Sequence, residues 1–403
     1  MMSLARTLIA APSPLPLVAR LLLARLRGIQ HGSLHLLTPE GTSLWFGQAG
    51  TAPHAELRIL DWAACKRLLL AGDIGFAESL RDGLLDSPDL SALMRLALQN
   101  EAALGRAFTG SLPARCWYMV KHVLRYNSRA GSQRNIHAHY DLGNDFYRLW
   151  LDTTWTYSSA LFKGAKDLSL ADAQAAKYQR ICDVLALKPG MRVLELGCGW
   201  GGFAEHATRQ GVQVHGITIS RAQLDAAVER LQGEALATFE LKDYRDITGQ
   251  YDAIVSIEMF EAVGESYWPT YFHQVRSLLK AGGQALIQTI TIADHRFASY
   301  RRSSDFIQEF IFPGGMLPSP SVFEQEARKA GLRMHDRLDF GADYAETLRR
   351  WRSAFELSLD AVRDQGFDDA FIRLWRLYLC YCEAGFDEGS IGVSQFLLQA
   401  GAS

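Results

Sequence analysis

Residues 192–202 of the chain read RVLELGCGWGG, a short apolar run that leads directly into a loop rich in glycine. The run follows a Lys188-Pro189-Gly190 turn, and its length suits a buried β-strand. Glycines allow the backbone to turn sharply and to approach a bound ligand closely. A strand that ends in such a loop and continues into a helix predicts an α/β fold with a ligand site at the loop.

The rest of the C-terminal part continues this rhythm of strands and helices. An amphipathic helix is predicted over 172–187, and further β-type runs lie at 212–219, 236–241, 251–257 and 283–292. Residues 320–385 read mainly as helices around one strand-like segment near 332–340. This alternation predicts an α/β fold with a mostly parallel sheet that helices cover on both faces.

The composition and charge indicate which kinds of partner the protein can bind. The chain has 403 residues, 48% of them apolar, and its 42 Lys+Arg and 44 Asp+Glu leave a formal net charge of −2. That balance argues against a dedicated nucleic-acid-binding protein. Residues 1–135 carry 15 basic and 9 acidic residues (+6), whereas the remainder carries 27 and 35 (−8). The basic N-terminal third suits an anionic lipid surface, and ordinary charge scatter is the alternative.

The N-terminal region predicts a small separate domain. No run of 18 apolar residues occurs, and prolines interrupt the apolar start, which disfavours a signal peptide. Residues 17–28 (LVARLLLARLRG) predict a basic amphipathic helix that either packs on its own domain or lies on a membrane surface. Residues 30–60 suit a small sheet, and residues 61–105 suit helices. The six cysteines show no disulfide or metal-ligand spacing, so we expect no metal site and a cytoplasmic protein.

The glycine loop favours one class of ligand. Gly197, Gly199 and Gly202 satisfy the dinucleotide pattern, but that site also needs an acid at the end of the second strand. The second strand ends at 216–220 (GITIS) without an acid, and the acid is instead Glu195, before the loop. The pattern E-x-G-x-G-x-G after a strand is typical of S-adenosylmethionine methyltransferases, so we expect that cofactor.

The block at 139–162 (HYDLGNDFYRLWLDTTWTYSSALF) is rich in aromatic residues. Aromatics at helical spacing usually form a core. This block also contains polar residues that favour the lining of a site, namely His139, Tyr140, Asp141 and Asn144. Its aromatic faces could contact a sulfonium by cation–π attraction.

A series of motifs gives the chain a family resemblance. In chain order they are HYDLGNDFYRLWLD, TYSSALF, VLELGCGWGGFA, GITIS with Gln223, DYRD, MFEAVG, FIFPGGMLPS, FGADY and YCEAGF. As a set they resemble the cyclopropane-fatty-acyl-phospholipid synthases and the related mycolic acid methyltransferases. The resemblance implies a Rossmann-like class I methyltransferase core with a seven-stranded sheet and a helical lid (about 293–320 and 341–385) over 121–403. It also implies a smaller α+β domain that associates with lipid over 1–120.

The resemblance implies a set of cofactor contacts. It assigns them to the block before the first strand, to the glycine loop and to the ends of the next strands: Tyr157, Ser158, Glu195, Gly197, Cys198, Gly199, Gly201, Thr218, Gln223, Tyr244 and Arg245. Tyr244 and Arg245 match the positions that border the adenine. Cys198 can also be a packing residue.

The resemblance also implies the reaction, which is methyl transfer to a cis double bond of a phospholipid acyl chain through a carbocation. In the family's cyclopropane synthases, a bound bicarbonate removes a proton. It is held by a Glu, a Tyr, a Cys and a His, and Glu261 and Tyr344 match the Glu and the Tyr. Here Ser159 replaces that Cys, Gln288 replaces that His, and Ala262 replaces the His after the Glu. Ser and Gln can hydrogen-bond an anion but supply neither thiolate nor imidazolium, which weakens the case for bicarbonate without excluding it.

Two products and two other functions stay open at this point. Proton loss from the added methyl group closes a cyclopropane, whereas proton loss from a neighbouring carbon gives a methyl-branched alkene. Cys382 falls where the family carries a cysteine often regarded as reactive, with a buried structural thiol as the alternative. Glu258 is expected to be a strand-end or surface carboxylate. A small-molecule methyltransferase and a non-catalytic lipid-binding protein are the other functions.

The resemblance further implies where the protein works. We expect a peripheral protein at the inner face of the membrane, on a phospholipid surface with unsaturated acyl chains and without nucleic acid. The family suggests a homodimer. Glu261, Tyr344, Ser159, Gln288 and Cys382 are the candidate catalytic residues.

Overall fold

The computed structural model describes residues 15–48, 50–105, 131, 142–165 and 167–401. Its N-terminal part contains helices α1 (Leu17–Leu26), α2 (Ala63–Arg81), α3 (Leu90–Gln99) and α4 (Glu101–Leu104), and strands β1 (Ser33–Leu37), β2 (Ser43–Gly47), β3 (His54–Ile59) and β4 (Leu85–Asp86). Its C-terminal part contains strands β5 (Arg192–Leu196), β6 (Gln213–Thr218), β7 (Ala237–Leu241), β8 (Tyr251–Ile257), β9 (Leu279–Ile292), β10 (Leu332–Asp339) and β11 (Ile391–Ala400). The helices of that part are α5 (Asn144–Arg148), α6 (Leu170–Val184), α7 (Gly202–Thr208), α8 (Arg221–Arg230), α9 (Trp268–Leu278), α10 (Asp294–Tyr300), α11 (Pro320–Lys329), α12 (Gly341–Leu357), α13 (Leu359–Asp364) and α14 (Asp369–Asp387), with a π-helical turn at Ile307–Ile311.

The large sheet confirms the α/β prediction. Its seven strands run in the order β10-β11-β9-β8-β5-β6-β7. The pairs from β9 through β8, β5 and β6 to β7 are parallel, and β11 is antiparallel to both β9 and β10. The predicted strand at 192–196 lies in the middle of the parallel part, and its apolar side chains are fully buried.

The strand order creates the crevice in which the glycine loop lies. From β5 the chain moves outward through β6 to β7 and then returns to β8 on the other side of β5. Open α/β sheets bind ligands at such a reversal, outside the carboxyl ends of the strands. The loop after β5 and the segment after β8 therefore face the same crevice.

The N-terminal part forms a four-stranded sheet, in the order β2-β1-β3-β4, that is covered by helices. Helix α1 buries Ala19, Leu22 and Leu26 against this part, as the packing interpretation expects. Leu17 and Leu21 of the same helix are exposed, so it keeps an apolar outer stripe as well. Within the part of the chain that the structure describes, no helix has the length and apolarity needed to cross a membrane.

One hydrophobic core joins the N-terminal part to helices α12 and α14. Polar contacts reinforce the junction: Nε of Arg95 donates to Glu388 at 2.8 Å, and Nη1 of Arg296 donates to Glu101 at 2.7 Å. The amide of Phe306 donates to Oδ2 of Asp73 at 3.0 Å. The predicted domain boundary near 120 lies outside the described residues.

Because the core is shared, we expect damage in the N-terminal part to destabilise the C-terminal part as well. Leu80→Ala removes a side chain that is 1% exposed in α2 and should lower the free energy of unfolding by about 2–5 kcal/mol. Leu70→Ala on the same helix, where Leu70 is 46% exposed, should cost about 0.5 kcal/mol or less. Urea unfolding followed by circular dichroism measures both. A Leu80→Ala transition that splits into two steps, one of them at the wild-type midpoint, would contradict the shared core.

Candidate active site

The glycine loop is fixed between the neighbouring strands. Gly197 follows β5 with a φ of +76°, in the left-handed region that favours glycine. A Cβ atom there would lie 2.8 Å from Cγ of Met259, in the segment after β8. The amides of Gly197 and Cys198 both donate to the carbonyl oxygen of Ile217, at 3.0 and 2.9 Å. The loop is therefore held at the carboxyl end of β5, in contact with both sides of the crevice.

The middle of the loop exposes its backbone to the crevice. Gly199 has a φ of +51°, and a Cβ atom there would meet nothing within 4 Å. Gly201, with a φ of +81°, leads into α7, which begins at Gly202; a Cβ atom at Gly202 would lie 2.7 Å from Oη of Tyr178. The loop thus packs tightly at its ends and offers bare backbone to a ligand between them.

Glu195 supplies an unpaired acceptor beside the loop. Its side chain is buried, and among the described residues Oε2 has no hydrogen-bond partner. Burial raises the pKa of this carboxyl well above its ordinary value, while Lys177 and Arg230 oppose the shift. A buried oxygen without a partner is costly unless a ligand supplies a donor. The ammonium and hydroxyl groups of S-adenosylmethionine are such donors, so Glu195 and the open loop fit that cofactor.

Thr218 and Gln223 lie together at the end of β6, next to the loop. Oγ1 of Thr218 donates to Oε1 of Gln223 at 2.9 Å, and both residues are buried. Ser220 caps α8 by accepting from the amide of Gln223 at 3.3 Å. The predicted pair therefore forms one polar wall of the crevice.

Tyr244 and Arg245 lie in the short turn after β7, at the same edge of the sheet. The guanidinium of Arg245 donates to both carboxylate oxygens of Asp243, at 2.8 and 2.6 Å, which fixes its direction. The Tyr244 ring packs against Tyr271 with 5.5 Å between ring centroids. The predicted adenine residues are thus preorganised.

The aromatic block is attached to the lid helices and to the glycine loop. Oη of Tyr157 lies 2.7 Å from Oη of Tyr378 in α14, and its ring packs 5.3 Å from that of Trp351 in α12. Nε1 of Trp200 in the loop donates to Oδ1 of Asn144 at 2.8 Å. This agrees with the prediction that Asn144 lines the site, whereas residues 139–141 lie outside the described residues.

A fully buried lysine lies beneath Ser158, and sequence reasoning missed it. Nζ of Lys177 donates to Oγ of Ser158 at 2.6 Å and to Oε1 of Gln174 at 2.7 Å. Burial lowers its pKa to about 7, while Glu258 and Asp152 oppose the shift. The helical spacing could have revealed its burial. Lys177 lies on the same buried face of α6 as Gln174 and Tyr178.

Glu258 was expected to be a strand-end or surface carboxylate; it does follow the end of β8, but it lies at the centre of the site rather than on the surface. Oε1 accepts from the amide of Ser159 at 2.9 Å and from Nε2 of Gln288 at 2.8 Å, and Oε2 accepts from Oη of Tyr344 at 2.6 Å. Three predicted catalytic residues therefore donate to Glu258, which was not among the predicted catalytic residues. Sequence spacing cannot show this convergence because the donors come from the aromatic block, β9 and α12.

The backbone of Glu258 adopts an unusual conformation to reach this position. Its φ is +51°, in a region that costs a non-glycine residue of order 1–3 kcal/mol. Its amide donates to the carbonyl oxygen of Gln288 at 2.8 Å, which helps to hold the strained turn after β8. Strain of this kind persists where the surroundings enforce it, as at active sites.

The amide of Gln288 has only one orientation that satisfies both of its neighbours. Nε2 of Gln395 donates to Oε1 of Gln288 at 2.9 Å, so Nε2 of Gln288 points to Glu258. Arg180 in turn donates to Gln395 and, at 2.9 Å, to Asp336. This chain of donors presents an N–H group to the carboxylate, where the family pattern has a histidine.

Glu261 lies beside Glu258 but has poorer hydrogen bonding. Oε1 accepts from the amide of Ile290 at 2.5 Å, and among the described residues Oε2 has no partner. Burial, together with repulsion from Glu258, raises the pKa of Glu261 to about 8. Its carbonyl oxygen accepts from the amide of Met316 at 2.9 Å, so the predicted lid segment touches this residue.

The two carboxyl groups differ in acidity for a physical reason. Burial raises the pKa of Glu258 as well, but Tyr344, Lys177, Ser159 and Gln288 oppose that shift. Two buried carboxylates at close range do not both ionise readily. Glu258, which has three donors, is therefore the more acidic of the two carboxyl groups, and repulsion from it helps to raise the pKa of Glu261 to about 8.

The cysteines of the site are neutral thiols. Burial raises the pKa of Cys382 in α14 and of Cys198 in the loop far above the ordinary value. A thiol in that state is a poor nucleophile, which suits packing. The catalytic role of Cys382 stays a prediction. The hydroxyl of Ser159 donates to the carbonyl oxygen of Ala160 at 3.0 Å rather than to a carboxylate.

The residues present do not fit a bicarbonate ion. The amide of Ser159, Nε2 of Gln288 and Oη of Tyr344 all donate to Glu258. The remaining residue of the predicted set, Glu261, is itself an acid. A second anion would have to displace the Glu258 carboxylate from its donors and lie against it.

Residues 127–396 match the family model of mycolic acid cyclopropane synthetase. The chain belongs to this family. Tuberculostearic acid methyltransferase UfaA1 of Mycobacterium tuberculosis is 37% identical over 387 residues, which cover 92% of this chain and 89% of that protein. Cyclopropane-fatty-acyl-phospholipid synthase of Escherichia coli is 35% identical over 367 residues, which cover 87% of this chain and 89% of that protein.

A solved structure extends the comparison to three dimensions. Mycolic acid cyclopropane synthase CmaA1, complexed with SAH and CTAB, superposes with a TM-score of 0.62 at 32% identity, over 66% of this chain and 98% of that chain. Family, fold and neighbours confirm that the chain is an S-adenosylmethionine-dependent methyltransferase with a class I fold. The resemblance drawn from the motifs is likewise confirmed.

The glycine loop predicts a specific loss of cofactor binding. Gly197→Ala adds a methyl group against Met259 at a φ of +76°, so it should cost about 1–3 kcal/mol of stability and weaken S-adenosylmethionine binding roughly tenfold or more. Gly190→Ala is the matched control, because Gly190 has a φ of +85° but open space around its Cβ position. Calorimetric titration measures the affinity. Equal affinity of Gly197→Ala and the wild type would contradict the assigned role of the loop.

The raised pKa of Glu261 predicts that the stability of the fold depends on pH. Its folded-state pKa of about 8 lies above the unfolded value, so its contribution is complete at acidic pH and is lost as the pH rises through 8. Between about pH 5 and pH 8 the free energy of unfolding should fall by up to about 1.4 kcal/mol per pH unit from this group. Glu261→Gln should flatten the profile, whereas Glu240→Gln on exposed β7 should not. Urea unfolding across this range tests it, and parallel profiles for wild type and Glu261→Gln would refute it.

Proposed function

We propose that the enzyme transfers the methyl group of S-adenosylmethionine to a cis double bond in an unsaturated acyl chain of a phospholipid. The observation that carries the proposal is the carboxylate centre at Glu258 and Glu261, next to the cofactor loop and under an apolar lid segment. Phe306, Ile311 and Met316 of that segment are buried. The acyl chain as acceptor is also supported by the printed names of the relatives.

The chemistry of an alkene suits this site. An alkene has no N–H or O–H proton to lose before methylation, so the enzyme needs no base to activate it. Bound S-adenosylmethionine supplies an electrophilic methyl group. The chain's own residues have to exclude water and to place negative charge where the carbocation develops. The aromatic rings around Tyr157 and the carboxylate of Glu258 meet both needs.

We propose a methyl-branched unsaturated acyl chain as the main product, with cyclopropane as the alternative. The three substitutions in the expected base site, at Ser159, Ala262 and Gln288, support this choice. The Glu258 carboxylate lies in the same site and accepts from Ser159 and Gln288. The relative with 37% identity carries the name of a methyltransferase rather than of a cyclopropane synthase.

We propose that residues 1–120 associate with lipid and that the enzyme works peripherally at the inner face of the membrane. Leu17 and Leu21 are exposed on α1 beside the exposed Arg20 and Arg27, which suits an anionic lipid surface. An apolar cavity between this part and the lid is lined by residues of both, including Phe306. The homodimer implied by the resemblance stays a prediction.

The decisive experiment combines purified protein, S-adenosylmethionine and vesicles of mono-unsaturated phospholipid. The released fatty acids should gain the mass of one CH2 group and keep vinyl protons in the NMR spectrum beside a new methyl signal. Mass alone does not separate the two products, because they are isomers. Upfield ring protons would replace the proposed product by a cyclopropane. Tight cofactor binding without any methylated lipid would refute the phospholipid acceptor.

A further inference from the structure

We infer that the Glu258 carboxylate is the base that removes the proton from the methylated acyl chain, in the place where the family resemblance implies bicarbonate. This inference rests on the proposed function, since it assigns a residue to the second half of that reaction. It predicts that the enzyme works without bicarbonate.

Glu258 lies next to the glycine loop that is expected to hold the cofactor. Glu258 directly follows β8, and β8 pairs with β5, whose end carries the cofactor loop. Met259, the next residue, is the side chain that a Cβ atom at Gly197 would touch. Glu258 as a whole residue is only partly buried, at the end of the strand that borders the crevice.

The hydrogen bonds favour the anionic form of Glu258 and hold its carboxylate in one orientation. Oε1 has two N–H donors and Oε2 has the Tyr344 hydroxyl, at distances of 2.6 to 2.9 Å. Such donors favour the charged form of a carboxyl group. The protonated neighbour Glu261 adds no competing charge near neutral pH.

The proposed step balances without a further reactant. The π electrons of the alkene form the bond to the methyl carbon, the sulfur keeps the electron pair of the broken S–C bond, and the acyl chain becomes a carbocation. A Glu258 oxygen then takes a proton from a carbon beside the cation, and the C–H electron pair forms the new double bond. The proton passes to solvent when the product leaves. A carbocation is so acidic that a carboxylate is a sufficient base.

The test uses Glu258→Gln and Glu258→Gly in the full-length enzyme, in buffer freed of carbon dioxide. Gln keeps the shape but not the basicity, and its kcat should fall by about 10²-fold or more with the affinity for S-adenosylmethionine nearly unchanged. Gly fits the φ of +51°, so relief of backbone strain offsets part of the loss of the three hydrogen bonds to the carboxylate. It opens the position, so added bicarbonate or formate should restore activity to Glu258→Gly alone. Glu356→Gln, which disturbs a contact with Arg376, is the control for loss of a carboxylate.

The outcomes separate the two proposals. Methylated lipid from the wild type, together with a large loss of kcat in both Glu258 variants and bicarbonate-independent wild-type turnover, supports the inference. Full activity of Glu258→Gln, or a wild-type rate that depends on bicarbonate, overturns the inference and leaves the proposed function intact. Absence of methylated lipid from the wild type overturns both.

Discussion

A single carboxylate, that of Glu258, connects the parts of the catalytic site. It accepts hydrogen bonds from the aromatic block through Ser159, from the sheet through Gln288 and from a lid helix through Tyr344. These three segments are far apart in sequence, so the carboxylate fixes their relative positions. The left-handed backbone at Glu258 directs the side chain toward these donors, and the energy of the three charged hydrogen bonds offsets the strain.

The charges around this carboxylate follow from burial. Lys177 is the one cationic side chain among the fully buried residues of the described chain, and it interacts electrostatically with Glu258 and Glu195. Burial disfavours the charged form of each of these side chains. A charge therefore persists only where hydrogen bonds stabilise it. Glu261 stays protonated, and Glu195 keeps an oxygen for a ligand. A bound sulfonium would add a second positive charge beside these carboxyl groups.

Much of the fold could be predicted because its signals are local. The glycine loop, the strand before it and the strand–helix alternation depend on residues within one short window, and the motifs fixed the family. The catalytic centre could not be predicted in the same way, because the role of Glu258 depends on donors contributed by distant elements. The motif resemblance selected Glu261 and set Glu258 aside, and only the tertiary hydrogen bonds show that Glu258 has the three donors.

The lid segments contact both Glu258 and Glu261. Tyr344 lies near the start of α12, and its hydroxyl donates to Oε2 of Glu258. The amide of Met316 donates to the carbonyl oxygen of Glu261. Movement of α12 away from the sheet would remove the Tyr344 donor from Oε2 of Glu258 and admit water to the carboxylate. The position of the carboxylate would then no longer be fixed from the α12 side. Charge placement and water exclusion therefore depend on the same closed arrangement, which suits a reaction whose intermediate water would destroy.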